Sequence, residues 1–441
     1  MYLKITPNAK PTGKLNVPSS KPETQRAIFI ASLAHGVSLV KNDLRCVESE
    51  TMKVACRHLG AKIIEHPNHL EIHGIGHRFN LQSQIIHAKG SGLVFRIFTA
   101  LASFINGPVI ITGDATLRNR VMSPLFDGLR MLGASVECIA DENKAPVVNW
   151  GNTLTGSSCT FPGNISSQFI TAILLIAPLA RNPIEIRVDG TVYSQSYIRQ
   201  TLEAMRHAGI SVEYTQDLTR FYVQPSEYQP VDSFINGDYT SASYLLAWAM
   251  LNKGTTILTN MSENSLQGER AIVSIIRALG IDIQFDENKR EIIVNNPHDS
   301  IFADIEFDAK DSPNIVPTLA AIGSFVQGRF RVVGGSITRF HKAPRIDAMI
   351  TELTKLGVDI TPIFHENVCD GFEIHGAPSY EGGKHLSSWG DHRIFMSLYV
   401  VSLKCQKSNF VDGYLDVDCS FPTFFQEFEK DNLENYQMAS A

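Results

Sequence analysis

The hydrophobic pattern of the chain is clearest between residues 163 and 180, where small polar residues lead into a long apolar segment. Ser166, Ser167 and Gln168 precede an apolar run from Phe169 to Ala180 that has no polar face. A helix that is apolar all round is buried on every side, and its first N–H groups lack partners at a partly positive end. The pattern predicts a buried helix whose start can hold a phosphate or carboxylate, although an ordinary serine N-cap explains the same residues.

The same kind of helix recurs along the chain. Apolar, often Ala-rich segments that end in a turn before a β-rich stretch occur six times, at a period of roughly 75 residues. We predict that the six helices start at Lys21, Gly92, Ser166, Ser241, Asn314 and His392.

A second motif has the same period: a helix closed by glycine and followed by alternating apolar and polar residues. The glycines are Gly60, Gly133, Gly209, Gly280 and Gly357. Glycine closes a helix in a left-handed cap, and the alternation after it is typical of a strand. The period is too long for a solenoid repeat and favours a small βαβ-type unit.

Six such units suggest two domains of three, and a chain of 441 residues is long for one core. The polar, proline-containing stretch Pro225–Asn236 is the predicted boundary. The polar tail, residues 431–441, is expected to fray.

Several of the six helix starts carry Lys or Arg in or near the first turn, as at Lys21, Arg96 and Arg393. A cation at the positive end of a helix dipole is unfavourable unless an anion is bound there. One such residue usually points only to solvent, but the same arrangement in several repeats favours shared anion binding.

Composition narrows the possible partners. The formal net charge is −6, which gives no reason to expect nucleic acid or a membrane as a partner. Seven cysteines without a C-x-x-C pair argue for reduced thiols in a cytoplasmic protein, with no disulfide framework and no zinc site. No signal-peptide core and no membrane-spanning apolar run is apparent.

The polar segments resemble, in order and spacing, those of the 5-enolpyruvylshikimate-3-phosphate synthase (3-phosphoshikimate 1-carboxyvinyltransferase) family over nearly the whole chain. The segments that carry the resemblance are Ser19–Arg26, Gly90–Arg96, Arg118-Asn119-Arg120, Ser166-Ser167-Gln168, Ser194-Gln195-Ser196-Tyr197, Arg345 and Asp391-His392-Arg393. The resemblance implies an α/β fold: a two-domain inside-out α/β barrel with three repeats per domain and helix N-termini converging on a cleft. It also implies domains at 17–229 and at 1–16 together with 230–430.

The family transfers the enolpyruvyl group of phosphoenolpyruvate to a hydroxyl of shikimate-3-phosphate and releases phosphate, without a metal or organic cofactor. The resemblance implies that Ser166, Ser167, Ser194 and Tyr197 hold the shikimate phosphate and that Arg26 pairs with the shikimate carboxylate. The resemblance places Lys21, Arg120 and Gln168 around the phosphate of phosphoenolpyruvate, and Arg345 and Arg393 on the carboxylate of phosphoenolpyruvate.

Gly92, Arg96 and Lys342 complete the predicted substrate-binding set. Guanidinium forks suit such two-point binding of anions.

The positions that transfer protons depart from the family pattern. The family has an aspartate where this chain has Asn314, and an amide cannot act as a base. The Lys-Glu pair before Arg345 is replaced within Phe340–Pro344, so that its lysine becomes His341 or shifts to Lys342 and its acid is missing. The predicted catalytic set is therefore Lys21, Asn314, His341 and Asp311, with Asp308 as a further candidate base. Cys419 replaces a C-terminal lysine, Pro22 a serine, and Gly90-Ser91-Gly92-Leu93 the usual Asn-Ala-Gly-Thr.

Three functions are compatible with these residues. The first is enolpyruvyl transfer to shikimate-3-phosphate or a similar phosphorylated cyclic acceptor, by a monomer that binds neither nucleic acid nor membrane. The second is a repurposed enzyme with another acceptor or an elimination reaction, and the third is a non-catalytic ligand-binding protein. The related UDP-N-acetylglucosamine enolpyruvyl transferases use a cysteine in the loop that corresponds to Leu117–Ser123; no cysteine lies there, and Cys138 is predicted to lie in a strand.

Overall fold

The six apolar segments form six buried helices, as the hydrophobic pattern predicts. The computed structural model describes residues 1–7, 13–140, 143–151 and 154–428, and the backbone of 438–439. The polar tail predicted at 431–441 therefore lies outside the described residues, apart from that backbone segment. The buried helices are Lys21–Leu33, Gly92–Leu101, Ser167–Ile176, Tyr239–Met250, Val316–Gly323 and His392–Leu403.

Three of the predicted helix starts are displaced. Ser166 is the N-cap of the third helix, which begins at Ser167. The fourth helix begins at Tyr239, two residues before Ser241, because the Asp238 side chain caps it by accepting the Ser241 N–H at 2.8 Å. Asn314 lies in a 3₁₀ turn, Pro313–Ile315, and the fifth α-helix starts only at Val316.

The five glycines predicted to end helices all have left-handed backbone conformations. Their φ values lie between 77° and 108°, a range that costs little for glycine alone. A strand follows each of them, and Cys138 ends the second of these strands, as predicted. The strands are Lys62–Glu65, Val136–Cys138, Val212–Tyr214, Asp282–Asp286 and Asp359–His365.

The chain divides into two compact units, which we call the first unit, Ser19–Ile235, and the second unit, Met1–Pro18 with Asn236–Ala441. Each unit has its own hydrophobic core, built around three of the six buried helices.

The first unit contains three four-stranded sheets. In each sheet one pair of neighbouring strands is parallel and the other two pairings are antiparallel. Strand Ser233–Phe234 completes the first sheet by pairing with Val37–Lys41, far from it in sequence. In sheet order the strands are Ser233–Phe234, Val37–Lys41, His69–His73 and Lys62–Glu65; Ile85–His87, Val109–Thr112, Val147–Asn149 and Val136–Cys138; Ser158–Pro162, Ile184–Asp189, Arg220–Val223 and Val212–Tyr214.

The second unit repeats this plan with strands from both ends of the chain. Lys14–Asn16 pairs in parallel with Gly254–Thr259, and Tyr2–Ile5 pairs antiparallel with Asn409–Asp412. In sheet order its strands are Lys14–Asn16, Gly254–Thr259, Glu291–Asn296 and Asp282–Asp286; Ile305–Asp308, Arg329–Val333, Val368–His375 and Asp359–His365; His385–Leu386, Asn409–Asp412, Tyr2–Ile5 and Met438–Ala439; and the pair Ile301–Phe302 with Val326–Gln327.

A second set of α-helices connects strands outside the six buried segments. These α-helices are Val47–His58, Ala115–Arg118, Ser123–Met131, Gln195–His207, Ile272–Ala278, Arg345–Lys355 and Phe424–Phe428. The remaining 3₁₀ turns are Ala102–Phe104, Ala177–Leu179, Gly268–Ala271, Ser336–Phe340 and Tyr414–Cys419.

Candidate functional site

Lys21 occupies the first turn of the first buried helix and is itself buried. Its Nζ lies 3.2 Å from Oε1 of Glu48, and both side chains are largely shielded from solvent. Ser20 caps the helix by accepting the Glu23 N–H at 3.4 Å. A lysine at a positive helix end is unfavourable by itself, so Glu48 offsets its charge here. A bound anion would have the same effect.

The buried Arg26 guanidinium joins the first helix to the helix Gln195–His207. Its Nε donates to Oγ1 of Thr201 at 2.9 Å, and Nη2 donates to the carbonyl oxygen of Tyr197 at 3.1 Å. Nη1 donates to the carbonyl oxygen of Pro22 at 3.0 Å. Burial lowers the pKa of Arg26 to about 10. Two of these hydrogen bonds hold the two helices together and the third stays within the first helix; since a guanidinium has five N–H groups, donors remain for a carboxylate.

Gly92 begins the second buried helix, and three of the predicted substrate-binding side chains converge on it. A Cβ added at Gly92 would lie 2.4 Å from Nη1 of Arg96, 3.1 Å from Nη1 of Arg120 and 3.2 Å from Oε1 of Gln168. Nη1 of Arg96 donates to Oε1 of Gln168 at 2.6 Å, and its guanidinium lies over the Phe169 ring, 5.0 Å from the centroid. The missing side chain at Gly92 therefore lets two guanidinium groups and a carboxamide meet at a helix N-terminus.

The electrostatics of this cluster favour an anion. Within the part of the chain that the structure describes, the partners of Arg96 are Gln168 and Phe169 and not a carboxylate. Burial, together with the neighbouring charge of Arg120, lowers the pKa of Arg96 to about 9. Two cations at the positive end of a helix dipole repel both each other and that end. A phosphate or carboxylate at Gly92 would relieve both repulsions.

The turns that lead to Ser166 and Ser194 are adjacent. The Tyr193 N–H donates to the carbonyl oxygen of Gly163 at 2.9 Å. Ser166 caps the third buried helix by accepting the Gln168 N–H at 3.3 Å, and Ser194 has a left-handed conformation with φ of 55°. The structure thus brings the two serine segments together at neighbouring helix starts. The other predicted members of this group are the buried Ser167 and the half-buried Tyr197.

In the second unit, Arg345 is the centre of a buried hydrogen-bond network. It is the first residue of the helix Arg345–Lys355, and its Nε donates to Oδ2 of Asp391 at 2.8 Å. Nη1 of Arg345 donates to Oδ1 of Asn314 at 2.9 Å. Oδ1 of Asp391 caps the sixth buried helix by accepting the Arg393 N–H at 2.9 Å. Asp391 therefore fixes Arg345 and the backbone of Arg393 at the same time.

Both members of the Arg345–Asp391 pair are ionised. Burial by itself would raise the pKa of Asp391, but the charges of Arg345 and His392 and the hydrogen bonds from Arg345 and the Arg393 backbone hold this pKa well below its usual range. Burial lowers the pKa of Arg345, and the charge of Asp391 opposes that shift. A buried charge is tolerated when it is paired and hydrogen-bonded, as it is here.

The loop that precedes Arg393 is held by hydrogen bonds to a side chain of another helix. Trp389 and Gly390 both have left-handed backbone conformations, with φ of 54° and 71°. The buried Glu352 accepts from Nε1 of Trp389 at 3.0 Å and from the Ser387 N–H at 2.9 Å. Arg393 is 8% exposed, and its charge is close enough to lower the pKa of Arg345. Arg345 and Arg393 are therefore neighbouring guanidinium groups on rigid helix starts.

Sequence reasoning missed Glu269, which is buried and accepts from Nδ2 of Asn314 at 3.1 Å. It lies in the 3₁₀ turn Gly268–Ala271. The only signal in the sequence is the polar Gln267-Gly268-Glu269 just before an apolar helix, which does not differ from an ordinary helix cap.

The candidate proton-transfer residues of the second unit lie in two segments, residues 308–314 and 341–342. His341 and Lys342 are half-buried in the segment just before Arg345, and the His341 N–H donates to the carbonyl oxygen of Thr338 at 3.1 Å. Asp311 is exposed. Asp308 accepts the backbone N–H of Lys310 at 2.9 Å and forms an ion pair with the Lys310 side chain at 3.4 Å. Its carboxylate therefore stabilises the turn in which it lies.

Among the residues that the structure describes, no group of three or more His, Cys, Asp or Glu side chains is arranged to hold a metal ion. No helix in this part of the chain combines the length and the apolar character needed to cross a bilayer.

Comparison with known proteins extends over nearly the whole chain. The family model for EPSP synthase (3-phosphoshikimate 1-carboxyvinyltransferase) matches residues 5–428. A 3-phosphoshikimate 1-carboxyvinyltransferase of Methanocaldococcus jannaschii is 33% identical over 426 residues, which cover 96% of this chain and 97% of the relative. The protein of the same name from Methanococcus vannielii is 32% identical over 421 residues, or 95% of each chain.

Solved structures share the fold at lower identity. An EPSP synthase from Acinetobacter baumannii superposes with a TM-score of 0.81 at 22% identity and covers all of both chains. The enolpyruvyl transferase NikO from Streptomyces tendae superposes with a TM-score of 0.76 at 14% identity over 97% of each chain. The predicted enolpyruvyl-transferase fold is confirmed.

Proposed function

The chain belongs to the EPSP synthase family, and we propose that its two arginine clusters bind the substrates of the family's reaction. The protein is a 3-phosphoshikimate 1-carboxyvinyltransferase, an enzyme of the shikimate pathway of aromatic amino acid biosynthesis. It transfers the enolpyruvyl group of phosphoenolpyruvate to a hydroxyl of shikimate-3-phosphate. The acceptor oxygen forms a bond to C2 of phosphoenolpyruvate, the bond from C2 to the phosphate oxygen breaks, and the hydroxyl proton leaves with phosphate.

The observation that carries the assignment of the first cluster is the convergence of Arg96, Arg120 and Gln168 on Gly92. Two guanidinium groups at a helix N-terminus match a phosphate in charge and in donor geometry. We assign Arg120, Gln168 and Lys21 to the phosphate of phosphoenolpyruvate, with Arg96 holding Gln168 in place.

The serine cluster of the first unit is assigned to shikimate-3-phosphate. Ser166, Ser167 and Ser194 lie at two adjacent helix starts, where hydroxyl and backbone N–H groups can bind a phosphate. Tyr197 lies in the helix Gln195–His207, and its carbonyl oxygen accepts a hydrogen bond from Arg26. We assign the remaining N–H groups of Arg26 to the carboxylate of shikimate-3-phosphate.

Arg345 and Arg393 in the second unit are assigned to the carboxylate of phosphoenolpyruvate. Asp391 accepts hydrogen bonds from the guanidinium of Arg345 and from the backbone N–H of Arg393. Lys342, three residues before Arg345, adds a positive charge to the same segment. Asn314 cannot take the proton of the acceptor hydroxyl, so we assign proton transfer to the half-buried His341, with Asp311 as the alternative. We also propose that the enzyme works as a monomer in the cytoplasm.

A phosphate-release assay tests this function. Phosphoenolpyruvate is held saturating, and release is measured with shikimate-3-phosphate, with shikimate and with other phosphorylated cyclic alcohols. We expect release that depends on shikimate-3-phosphate and fails with shikimate, because the serine cluster requires the phosphate. Release with a different acceptor alone would indicate a repurposed enzyme, and calorimetric binding of phosphoenolpyruvate without release would indicate a non-catalytic protein.

A further inference from the structure

Four side chains of the second unit form one continuous hydrogen-bonded row. Nδ2 of Asn314 donates to Oε1 of Glu269 at 3.1 Å, and Oδ1 of Asn314 accepts from Nη1 of Arg345 at 2.9 Å. Nε of Arg345 then donates to Oδ2 of Asp391 at 2.8 Å. Glu269 and Asp391 are 1% and 0% exposed, and Arg345 is 4% exposed. Three of the four side chains are therefore out of water, and Asn314 between them is half-buried.

The chemistry of the neighbours fixes the orientation of the Asn314 amide. An ionised carboxylate only accepts hydrogen bonds, and a guanidinium only donates them. With Glu269 on one side and Arg345 on the other, the amide has a single favourable orientation, with its nitrogen toward Glu269 and its oxygen toward Arg345. The reverse orientation would place two sets of donors against each other and two acceptors against each other.

The turn that carries Glu269 is itself firmly held. Oε1 of Gln267 accepts the Tyr239 N–H at 2.7 Å, and Nε2 of Gln267 donates to the carbonyl oxygen of Gly237 at 2.9 Å. Oγ of Ser312 donates to the carbonyl oxygen of Gly268 at 2.7 Å. The turn is thus hydrogen-bonded both to the start of the fourth buried helix and to the segment that carries Asn314. These contacts fix the backbone position of Glu269.

We propose that Glu269 is a positioning residue for phosphoenolpyruvate binding, acting through the amide of Asn314 on the guanidinium of Arg345. The inference rests on the proposed role of Arg345 in binding the carboxylate of phosphoenolpyruvate. Glu269 and Asn314 form a matched carboxylate–amide pair. An aspartate at position 314, as the family resemblance implies, would place a second carboxylate at hydrogen-bonding distance from Glu269. The amide of Asn314 is therefore the side chain that allows a hydrogen bond to the carboxylate of Glu269 in this chain.

The pair predicts a reciprocal rescue. In Glu269→Gln the amide at position 269 can still accept from Nδ2 of Asn314, but this hydrogen bond loses its charge, and the new NH2 group can also donate to Oδ1 of Asn314 in competition with Arg345. In Glu269→Gln combined with Asn314→Asp, the carboxylate at position 314 accepts both from the new amide at position 269 and from Arg345. The double variant has the same net charge as the wild type and again allows only one arrangement of donors and acceptors.

The experiment measures kcat and KM for phosphoenolpyruvate at saturating shikimate-3-phosphate and pH 8. The proteins are the wild type, both single variants, the double variant and the control Glu381→Gln, whose carboxylate is exposed and pairs with Lys407 at 2.5 Å. We expect KM to rise about tenfold or more in Asn314→Asp, the scale of one hydrogen bond to a charged group, and by a smaller factor of about three in Glu269→Gln, where a weaker neutral hydrogen bond replaces the charged one. The double variant should return to within about threefold of the wild type, and the control should match the wild type. A double variant as weak as the two single effects combined, or a Glu269→Gln enzyme with unchanged KM, would overturn the proposal.

Crystal structures of the wild type and of Glu269→Gln give a readout that does not need activity. We expect the Asn314 side chain to adopt more than one conformer in Glu269→Gln, and a single conformer with the 2.9 Å distance from Nη1 of Arg345 to Oδ1 of Asn314 unchanged would contradict the inference. A wild type without turnover would count against the proposed function, and the structures would still decide the role of Glu269.

Discussion

Nε of Arg345 donates to Oδ2 of Asp391 at 2.8 Å, between two side chains that are both buried. The other oxygen of Asp391 caps the helix that carries Arg393. One carboxylate therefore holds the guanidinium of Arg345 and the backbone N–H of Arg393, and we assign both arginines to the same carboxylate of the substrate. The arrangement links the stability of the second unit directly to its capacity to bind an anion.

Asp391→Asn should destabilise the protein by about 3–5 kcal/mol at pH 7, because it leaves Arg345 buried without its counter-charge. The folded-state pKa of Asp391 is lower than its unfolded value. Its contribution is therefore complete above the unfolded pKa of about 4 and is lost as the pH falls below it. Urea unfolding between pH 3 and pH 8 should show a shallower loss of stability at acid pH in the variant. Equal slopes for both proteins would contradict the pairing.

Arg393→Lys should weaken phosphoenolpyruvate binding by about 1–3 kcal/mol, the scale of a hydrogen bond between charged groups. Lysine keeps the charge but loses the planar fork that binds a carboxylate at two points. Calorimetry measures the effect, with Arg206→Lys as the control because Arg206 pairs with Glu203 on the surface. If both variants bind as the wild type does, Arg393 is not part of the carboxylate site.

Gly92→Ala should impair anion binding in the first unit with little change in folding. The new Cβ would lie 2.4 Å from Nη1 of Arg96, so the guanidinium would have to move away from the helix start. We expect KM for phosphoenolpyruvate to rise about tenfold, as for the loss of one charge-assisted hydrogen bond. Circular dichroism and thermal unfolding report on folding. A variant with normal KM would show that the first cluster does not contact this substrate.

Asn314→Asp should make phosphoenolpyruvate binding depend on pH. Two carboxylates that share a site raise one pKa strongly, so the pair keeps a proton at low pH and preserves the hydrogen bond to Glu269. As the pH rises, the proton leaves and repulsion separates the two side chains. Binding titrations from pH 5.5 to pH 8.5 should show affinity falling with pH in the variant and remaining flatter in the wild type. Parallel profiles would mean that Glu269 and position 314 are not coupled.

The six buried helices were readable from the sequence because each is apolar on every face, a pattern that few other structures produce. The glycines that end the second set of helices were readable for a similar reason, since only glycine adopts that conformation at little cost. The exact first residues of these helices could not be predicted from the sequence. Asp238 rather than Ser241 caps the fourth helix, and a 3₁₀ turn precedes the fifth, because several polar residues near each start compete for the same N–H groups.

The sheet partners of the chain ends could not be derived from the repeat. Lys14–Asn16 and Ser233–Phe234 are strands of three and two residues whose partners lie far away in sequence. Such short strands carry almost no periodic signal.

Part of the candidate site could be predicted from the sequence. The Arg345, Asp391 and Arg393 segments stand out because polar residues precede an apolar helix, and the structure joins two of them across 46 residues of sequence. Glu269 could not be predicted, because its importance comes from a contact with Asn314, 45 residues away, and not from its own neighbours in the chain. The role of His341 in proton transfer stays a prediction.

The reaction product is the most direct test of the whole account. The protein is incubated with phosphoenolpyruvate labelled with ¹³C at C2 and with shikimate-3-phosphate, and the products are followed by ¹³C and ³¹P NMR. The account predicts that the labelled carbon appears in an enolpyruvyl ether of shikimate-3-phosphate, with one phosphate released for each ether formed. Recovery of unchanged phosphoenolpyruvate, in a sample where calorimetry shows that both substrates are bound, would contradict it.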